Sequence, residues 1–198
     1  MSFQVIENFL PQDIADFIEK EMVCDTFPWY YSDTVNTPED DDKFFFSHSI
    51  IYEGELNSRF YDSIALPIVS KLRANKIFRV KCNLYPRQNK SDKKGFHTDM
   101  KEEHKVLLYY VNTNNGFTLF ENGDKVPSIK NTALLFNGNL FHASGLNKSS
   151  TKFTASSKSF PPPVPAKANL ASKSSLLKAY ICAKDDFSPK APIPLMIA

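Results

Sequence analysis

The sequence lacks most of the features that would place it in a specialised class. Cysteine is scarce: Cys24, Cys82 and Cys182 are scattered, odd in number and form no CxxC pair. That argues against a disulfide framework or a zinc ribbon and suits a reducing, cytoplasmic setting. No apolar run is long enough to cross a bilayer, and the polar, acidic SFQVIENFLPQD after Met1 has neither the basic nor the long apolar region of a secretory leader. A soluble protein without membrane association is therefore expected. There is no internal repeat and no strong net charge, since 24 Lys/Arg against 22 Asp/Glu leave +2. Nucleic acid is thus not an indicated partner. The asymmetry is local: residues 1 to 146 carry 16 basic against 20 acidic groups (−4), and residues 147 to 198 carry 8 against 2 (+6). A basic tail of this kind reads as solvated surface.

What is present is an ordinary apolar share, 42% of 198 residues, rich in aromatics through 17 Phe and 8 Tyr. One globular domain follows from that length. Phe3 to Phe9 predicts a short strand, and IADFIEKEM predicts an amphipathic helix with Ile14, Phe17, Ile18 and Met22 at helical spacing. A second helical segment is expected over Leu56 to Arg73, where Phe60, Ile64, Ile68 and Leu72 recur every four residues and Pro67 limits regularity. Between them, Asp33 to Lys43 reads as an exposed acidic loop. Strand signals then dominate: IFRVKCNLYP, KVLLYYVN, GFTLFEN, TALLFNG and TKFTASSKSF are β-type runs with polar and glycine breaks, and Asn114-Asn115-Gly116 reads as a hairpin turn. Without long helical connections, this cadence predicts a mainly β sandwich, barrel or jelly roll with N-terminal helices. The Pro-rich stretch after Phe160 predicts a domain over residues 1–160, with 1–79 as support and 80–160 as core, and a C-terminal extension over 161–198 carrying one short helix at 170–182.

His97-Thr98-Asp99 places two metal-ligand types at i and i+2, hence on one face of an extended strand. His142 follows at the end of TALLFNGNLFH, where a later strand can return beside the first. Two imidazoles and one carboxylate form the facial set that leaves positions open on Fe(II). His48 and His104 fall outside these positions and are expected at the surface or in support of the ligands.

The longer stretch VKCNLYPRQNKSDKKGFHTDMKEEHKVLLYYVNTNNGFTLFENGD, within a span of roughly Val80 to Lys152, resembles the 2-oxoglutarate and Fe(II)-dependent oxygenase superfamily in its prolyl-hydroxylase-like branch. It is also similar to small oxygenase domains of viral and marine environmental sequences. The resemblance implies a double-stranded β-helix, the cupin-like jelly roll, with HTD supplying two iron ligands (His97, Asp99) and FHASG the third (His142). It implies Fe(II) as metal, 2-oxoglutarate and O2 as co-substrates, ascorbate as a candidate reductant, and hydroxylation of a prolyl or other peptide side chain or of a small molecule. It places Tyr85 on the pocket wall and gives Tyr110 a phenolic hydrogen bond to the co-substrate. A cation for the distal carboxylate is implied about ten residues beyond the last histidine, where Lys152 stands. Thr154 occupies a position where an arginine is implied, so a metal-binding jelly roll with impaired catalysis, acting as a binding module, is the alternative. Residues 31–47 and 86–95 are the loops expected to set substrate choice.

Overall fold

In the computed structural model, which describes residues 3–32, 44–74, 76–86, 92–93, 95–146, 176–184 and 188–189, Lys105–Tyr110 is a strand whose residues after Lys105 are all buried, covered on both faces. The elements in chain order are β1 (Phe3–Ile6), α1 (Gln12–Val23), β2 (Tyr30–Ser32), β3 (Phe45–Tyr52), β4 (Glu55–Leu56), a π-helical turn (Tyr61–Ala65) continuing as α2 (Leu66–Val69), and β5 (Leu72–Arg73). They continue with β6 (Lys76–Tyr85), β7 (Asp92–Lys93), β8 (Lys105–Tyr110), β9 (Gly116–Phe120), β10 (Lys125–Pro127), β11 (Thr132–Asn137), β12 (His142–Leu146), β13 (Leu176–Lys184) and β14 (Ser188–Pro189).

Two antiparallel sheets form the body. The larger runs β1-β11-β8-β13-β6-β3-β2 with β4 added to β3, and the smaller runs β10-β9-β12-β7. Period-2 alternation divides the side chains of the large sheet. Leu107, Tyr109, Val80, Cys82, Leu84, Ala179 and Ile181 face outward onto Ile18, Met22, Ile64 and Ile68 of the helices. Val106, Leu108, Tyr110, Tyr180 and Cys182 face inward onto Phe120 and Val126 of the small sheet. This is the expected jelly roll, with the helices packed on one outer face.

Several local expectations change. Phe60, Ile64, Ile68 and Leu72 are all buried, but only Tyr61–Val69 is helical, and it opens as a π turn. A four-residue spacing exceeds the 3.6 residues of an α-helical turn. Pro67 also offers no N–H and would crowd the carbonyl four residues back, which the wider turn relieves. On α1, Phe17 is 46% exposed and Ala15 takes the buried position beside Ile18 and Met22. Asn114-Asn115-Gly116 is not a hairpin turn, because β8 and β9 belong to different sheets; it is a corner between them, fixed by Asn114 Oδ1 accepting from the Gly116 N–H at 2.7 Å.

The largest change concerns the tail. The stretch expected to hold a helix at 170–182 is β13 where it is described, and it lies between β8 and β6 in the middle of the large sheet. A domain closed at residue 160 is thereby corrected: of the described part of the supposed extension, β13 is central to the large sheet and β14 pairs with β5. The acidic loop 33–43, and Lys152, Thr154 and Lys158, lie outside the described residues.

Candidate metal centre

His97 and His142 are joined by an isolated antiparallel bridge, each backbone N–H donating to the other's carbonyl at 3.0 Å. That pairing places their rings 4.6 Å apart between centroids. Asp99, two residues along, adds its carboxylate, and the ligand atoms of all three lie within 4.8 Å of one another. Each imidazole is oriented through Nδ1, which donates to the Leu140 carbonyl at 3.0 Å in His142 and lies 3.3 Å from the Gly95 carbonyl in His97. This arrangement turns the Nε2 lone pairs toward the shared space.

The test of fit lies in the atoms left over. His142 Nε2 and Asp99 Oδ2 are buried, have no hydrogen-bond partner and face each other at 3.5 Å. Burial lowers the His142 pKa, against the opposing pull of Asp99, so the ring is neutral and Nε2 is an acceptor. Two buried acceptors directed at one point are costly unless a cation lies between them. The N,N,O donor set suits a divalent transition metal. Asp99 Oδ1 is separately engaged, accepting from Arg79 Nη2 at 2.8 Å.

A buried polar cluster adjoins these residues between the sheets. Ser144 follows His142 by two positions on β12, so both side chains leave the same face. From the opposite sheet, the fully buried Lys178 of β13 reaches Ser144 Oγ at 3.2 Å and Thr118 Oγ1 at 3.1 Å. Its ammonium also stands 5.2 Å from the Tyr110 ring. Tyr110 donates to Thr118 Oγ1 at 2.8 Å, and Tyr180 and Ser144 share a hydrogen bond at 3.2 Å. Tyr85 is buried beside them, accepting from Asn83 at 3.2 Å. Burial raises the pKa values of all three phenols, keeping them protonated donors.

The structure therefore brings together His97, Asp99, His142, Tyr85 and Tyr110, five of the six residues expected at the site. Lys152 lies outside the described residues, and the buried cation of the polar cluster is Lys178, for which the sequence offers no motif. Its only signal is a lysine within the apolar run LLKAYICA. Of the phenylalanines near the motifs, Phe117 and Phe120 are buried, while Phe96 and Phe141 are 40% and 49% exposed. Neither His48 nor His104 is a surface residue: His48 is buried, bonded to the Pro28 carbonyl and Ser58, and His104 is buried against Gly138.

The His104 ring fills the space a side chain at Gly138 would need, and a Cβ there would overlap it. Gly138→Ala is expected to destabilise the fold by about 1–3 kcal/mol, the usual effect of overpacking, as read by urea unfolding. An unchanged midpoint would show that the ring can move aside.

The centre opens to the surface through a cleft of about 260 Å³ lined by residues that include Phe45, Lys81, Tyr85, His97 and Asp99. A neighbouring groove of about 520 Å³, lined by Tyr52, Phe78 and Met100 among others, shares Arg79 with it. Among the described residues, no helix is long and apolar enough to cross a membrane.

No protein-family model and no curated protein sequence matches the chain. Solved structures do match. An oxidoreductase of the 2OG-Fe(II) oxygenase family from Burkholderia pseudomallei superposes with a TM-score of 0.58 at 11% identity, covering 94% of this chain and 87% of that one. A Trichoplax adhaerens prolyl hydroxylase, in complex with a hypoxia inducible factor oxygen degradation domain peptide fragment, gives 0.56 at 12%, covering 91% and 82%. A Pseudomonas putida prolyl-4-hydroxylase gives 0.53 at 11%, covering 92% of each chain. At these identities the likeness is one of fold: the chain has the architecture of 2OG-Fe(II) oxygenases, prolyl hydroxylases among them.

Proposed function

We propose that the chain is an Fe(II)- and 2-oxoglutarate-dependent oxygenase that hydroxylates a substrate C–H bond, with a peptide side chain such as a prolyl residue as the favoured substrate. The single observation that carries this reading is the pair of orphaned buried atoms, Asp99 Oδ2 and His142 Nε2, beside a polar cluster holding a buried lysine. His97, Asp99 and His142 would hold the metal, leaving part of its coordination sphere open. When bound, Fe(II) with 2-oxoglutarate supplies the oxidising power: O2 gives one oxygen atom to succinate and one to the substrate, with release of CO2.

The chain's own residues account for the rest. The Leu140 and Gly95 carbonyls orient the two imidazoles, and Arg79 engages the Asp99 oxygen that faces away from His142. Lys178, with the Thr118, Ser144 and Tyr110 hydroxyls around it, forms a cradle for the distal carboxylate of a short keto-diacid, pairing an ammonium with a carboxylate in a low-dielectric interior. Lys178 takes the role the sequence reading gives to Lys152. Val106, Leu108, Phe120 and Phe136 belong to the same inward-facing apolar cluster as Tyr110 and Tyr180, surroundings of low dielectric that strengthen such a pairing. The binding-module alternative rests on Thr154 standing where a cation is implied, and the buried Lys178 supports the enzyme reading over it. Three free thiols accord with a reducing, cytoplasmic setting.

The test is turnover. With Fe(II) and ascorbate present, the full chain is expected to convert 2-oxoglutarate to succinate, faster when a substrate peptide is added, and His97→Ala is expected to abolish the conversion. Succinate formation that is absent with Fe(II), or that persists in His97→Ala, would count against the reading.

A further inference from the structure

Asp99 is shared by two clusters of ligand-type side chains. His97 and His142 stand on one side. On the other stand His104 and Cys182, whose ligand atoms also lie within 4.8 Å of one another and of the Asp99 carboxylate. Both are buried, and His104 Nε2 has no hydrogen-bond partner while its Nδ1 meets the Glu102 carbonyl at 2.7 Å. Imidazole, thiol and carboxylate together are donors that Zn2+ or Co2+ would accept.

What separates the two clusters is Arg79. Its Nη2 donates to Asp99 Oδ1 at 2.8 Å and to Cys182 Sγ at 3.5 Å, so a guanidinium nitrogen contacts two of the three ligands of the second cluster. A β-bulge sets it there. Cys182 pairs with Arg79 but Ala183 pairs with Ile77, which leaves Phe78 as the extra residue where β6 meets β13. Bulges of this kind re-aim side chains near functional sites.

We propose that Arg79 is a fixed cation occupying a latent second metal position, and that it keeps the centre mononuclear while positioning Asp99 to offer Oδ2 alone. Bonds from a divalent ion to carboxylate and thiolate are about 2.0–2.3 Å long, so an ion cannot share Asp99 Oδ1 and Cys182 Sγ with a guanidinium already in contact with both. The arginine charge also survives at every pH the fold would meet. With Oδ1 held by Arg79, Asp99 gives the first metal one oxygen, which preserves an open coordination position. This inference rests on the reading of His97, Asp99 and His142 as the metal ligands.

The experiment is an anaerobic Co(II) titration of the full chain, followed by absorbance. The wild type is expected to bind one Co(II) without thiolate-to-metal charge transfer. Arg79→Met is expected to bind two, with a thiolate band that Cys182→Ser in the same background removes, and to hold the first ion about 10–100-fold more weakly, as for loss of a supporting partner. Arg79→Lys, which keeps the charge, is expected to restore single-ion binding. One Co(II) bound to Arg79→Met with wild-type affinity and no thiolate band would overturn the proposal. If the methionine variant does not fold, Arg79→Gln carries the same expectation and the same overturning result. Failure of the underlying reading looks different: wild type that binds no Co(II), or a stoichiometry unchanged by His97→Ala, overturns the ligand assignment itself.

Discussion

Lys178→Met is expected to weaken 2-oxoglutarate binding by about 30-fold or more while leaving the fold as stable as before or more so. Lys178 is wholly buried, against Thr118, Ser144 and the face of Tyr110. Desolvating an ammonium costs several kcal/mol, and replacing a buried charged group by an apolar one of similar volume is often neutral or stabilising by about 1–4 kcal/mol. Thr118 and Ser144 keep partners without it, because Tyr110 still donates to the first and Tyr180 still bonds the second. Removing one side of a buried ammonium–carboxylate contact costs a ligand about 2–5 kcal/mol, and each 1.4 kcal/mol is tenfold. Isothermal titration and thermal unfolding of the same variant separate the two effects. A lower melting temperature with unchanged affinity would make Lys178 a structural residue.

Asp99 carries the second large effect. Asp99→Ala is expected to lose metal affinity by more than about 100-fold, since supporting partners alone are worth about 10–100-fold. It should also lose stability, because it strands the Arg79 guanidinium. Breaking a buried ion pair costs on the order of 3–5 kcal/mol, and the 25% exposure of the Arg79 side chain places this one below that range. Asp99→Asn divides the two consequences. Its amide oxygen can still accept from Arg79, so stability should largely return while metal binding does not. Metal titration and chemical unfolding of the two variants together check this, and an Asn variant with wild-type metal affinity would remove Asp99 from the ligand set.

The grouping of His97, Asp99 and His142 is legible in the sequence, because an i, i+2 spacing lets two side chains of an extended segment share one side and the apolar run ending at His142 marks a returning strand; in the structure His97 forms only an isolated bridge and Asp99 lies in the bend after it. The two-layer β architecture is legible too, since KVLLYY, GFTLF and TALLF are strands wherever they fall. β13 is not. Leu177, Ala179 and Ile181 face the helices and Lys178, Tyr180 and Cys182 face the small sheet, yet all are buried. A central strand covered on both faces loses the alternation that identifies strands, and a buried lysine in a basic, proline-rich neighbourhood reads as surface. Spacing from His142 therefore points to Lys152, whereas the cation proposed for the co-substrate, Lys178, comes from a strand more distant in sequence. Asn114-Asn115-Gly116 misleads for a related reason: turn residues report that the chain bends, not which sheet it enters next. Arg79 carries no local signal, because its partners Asp99 and Cys182 are 20 and 103 residues away.

The joint claim that His97, Asp99 and His142 hold iron and that Lys178 receives the co-substrate is tested most directly by anaerobic titration of the Fe(II)-loaded chain with 2-oxoglutarate. The observable is the metal-to-ligand charge-transfer absorption of the keto-acid chelate. One saturable band is predicted, absent from Asp99→Ala and shifted in Lys178→Met to concentrations about 30-fold higher or more. No band at any concentration, or a half-saturation that Lys178→Met leaves unchanged, would contradict it.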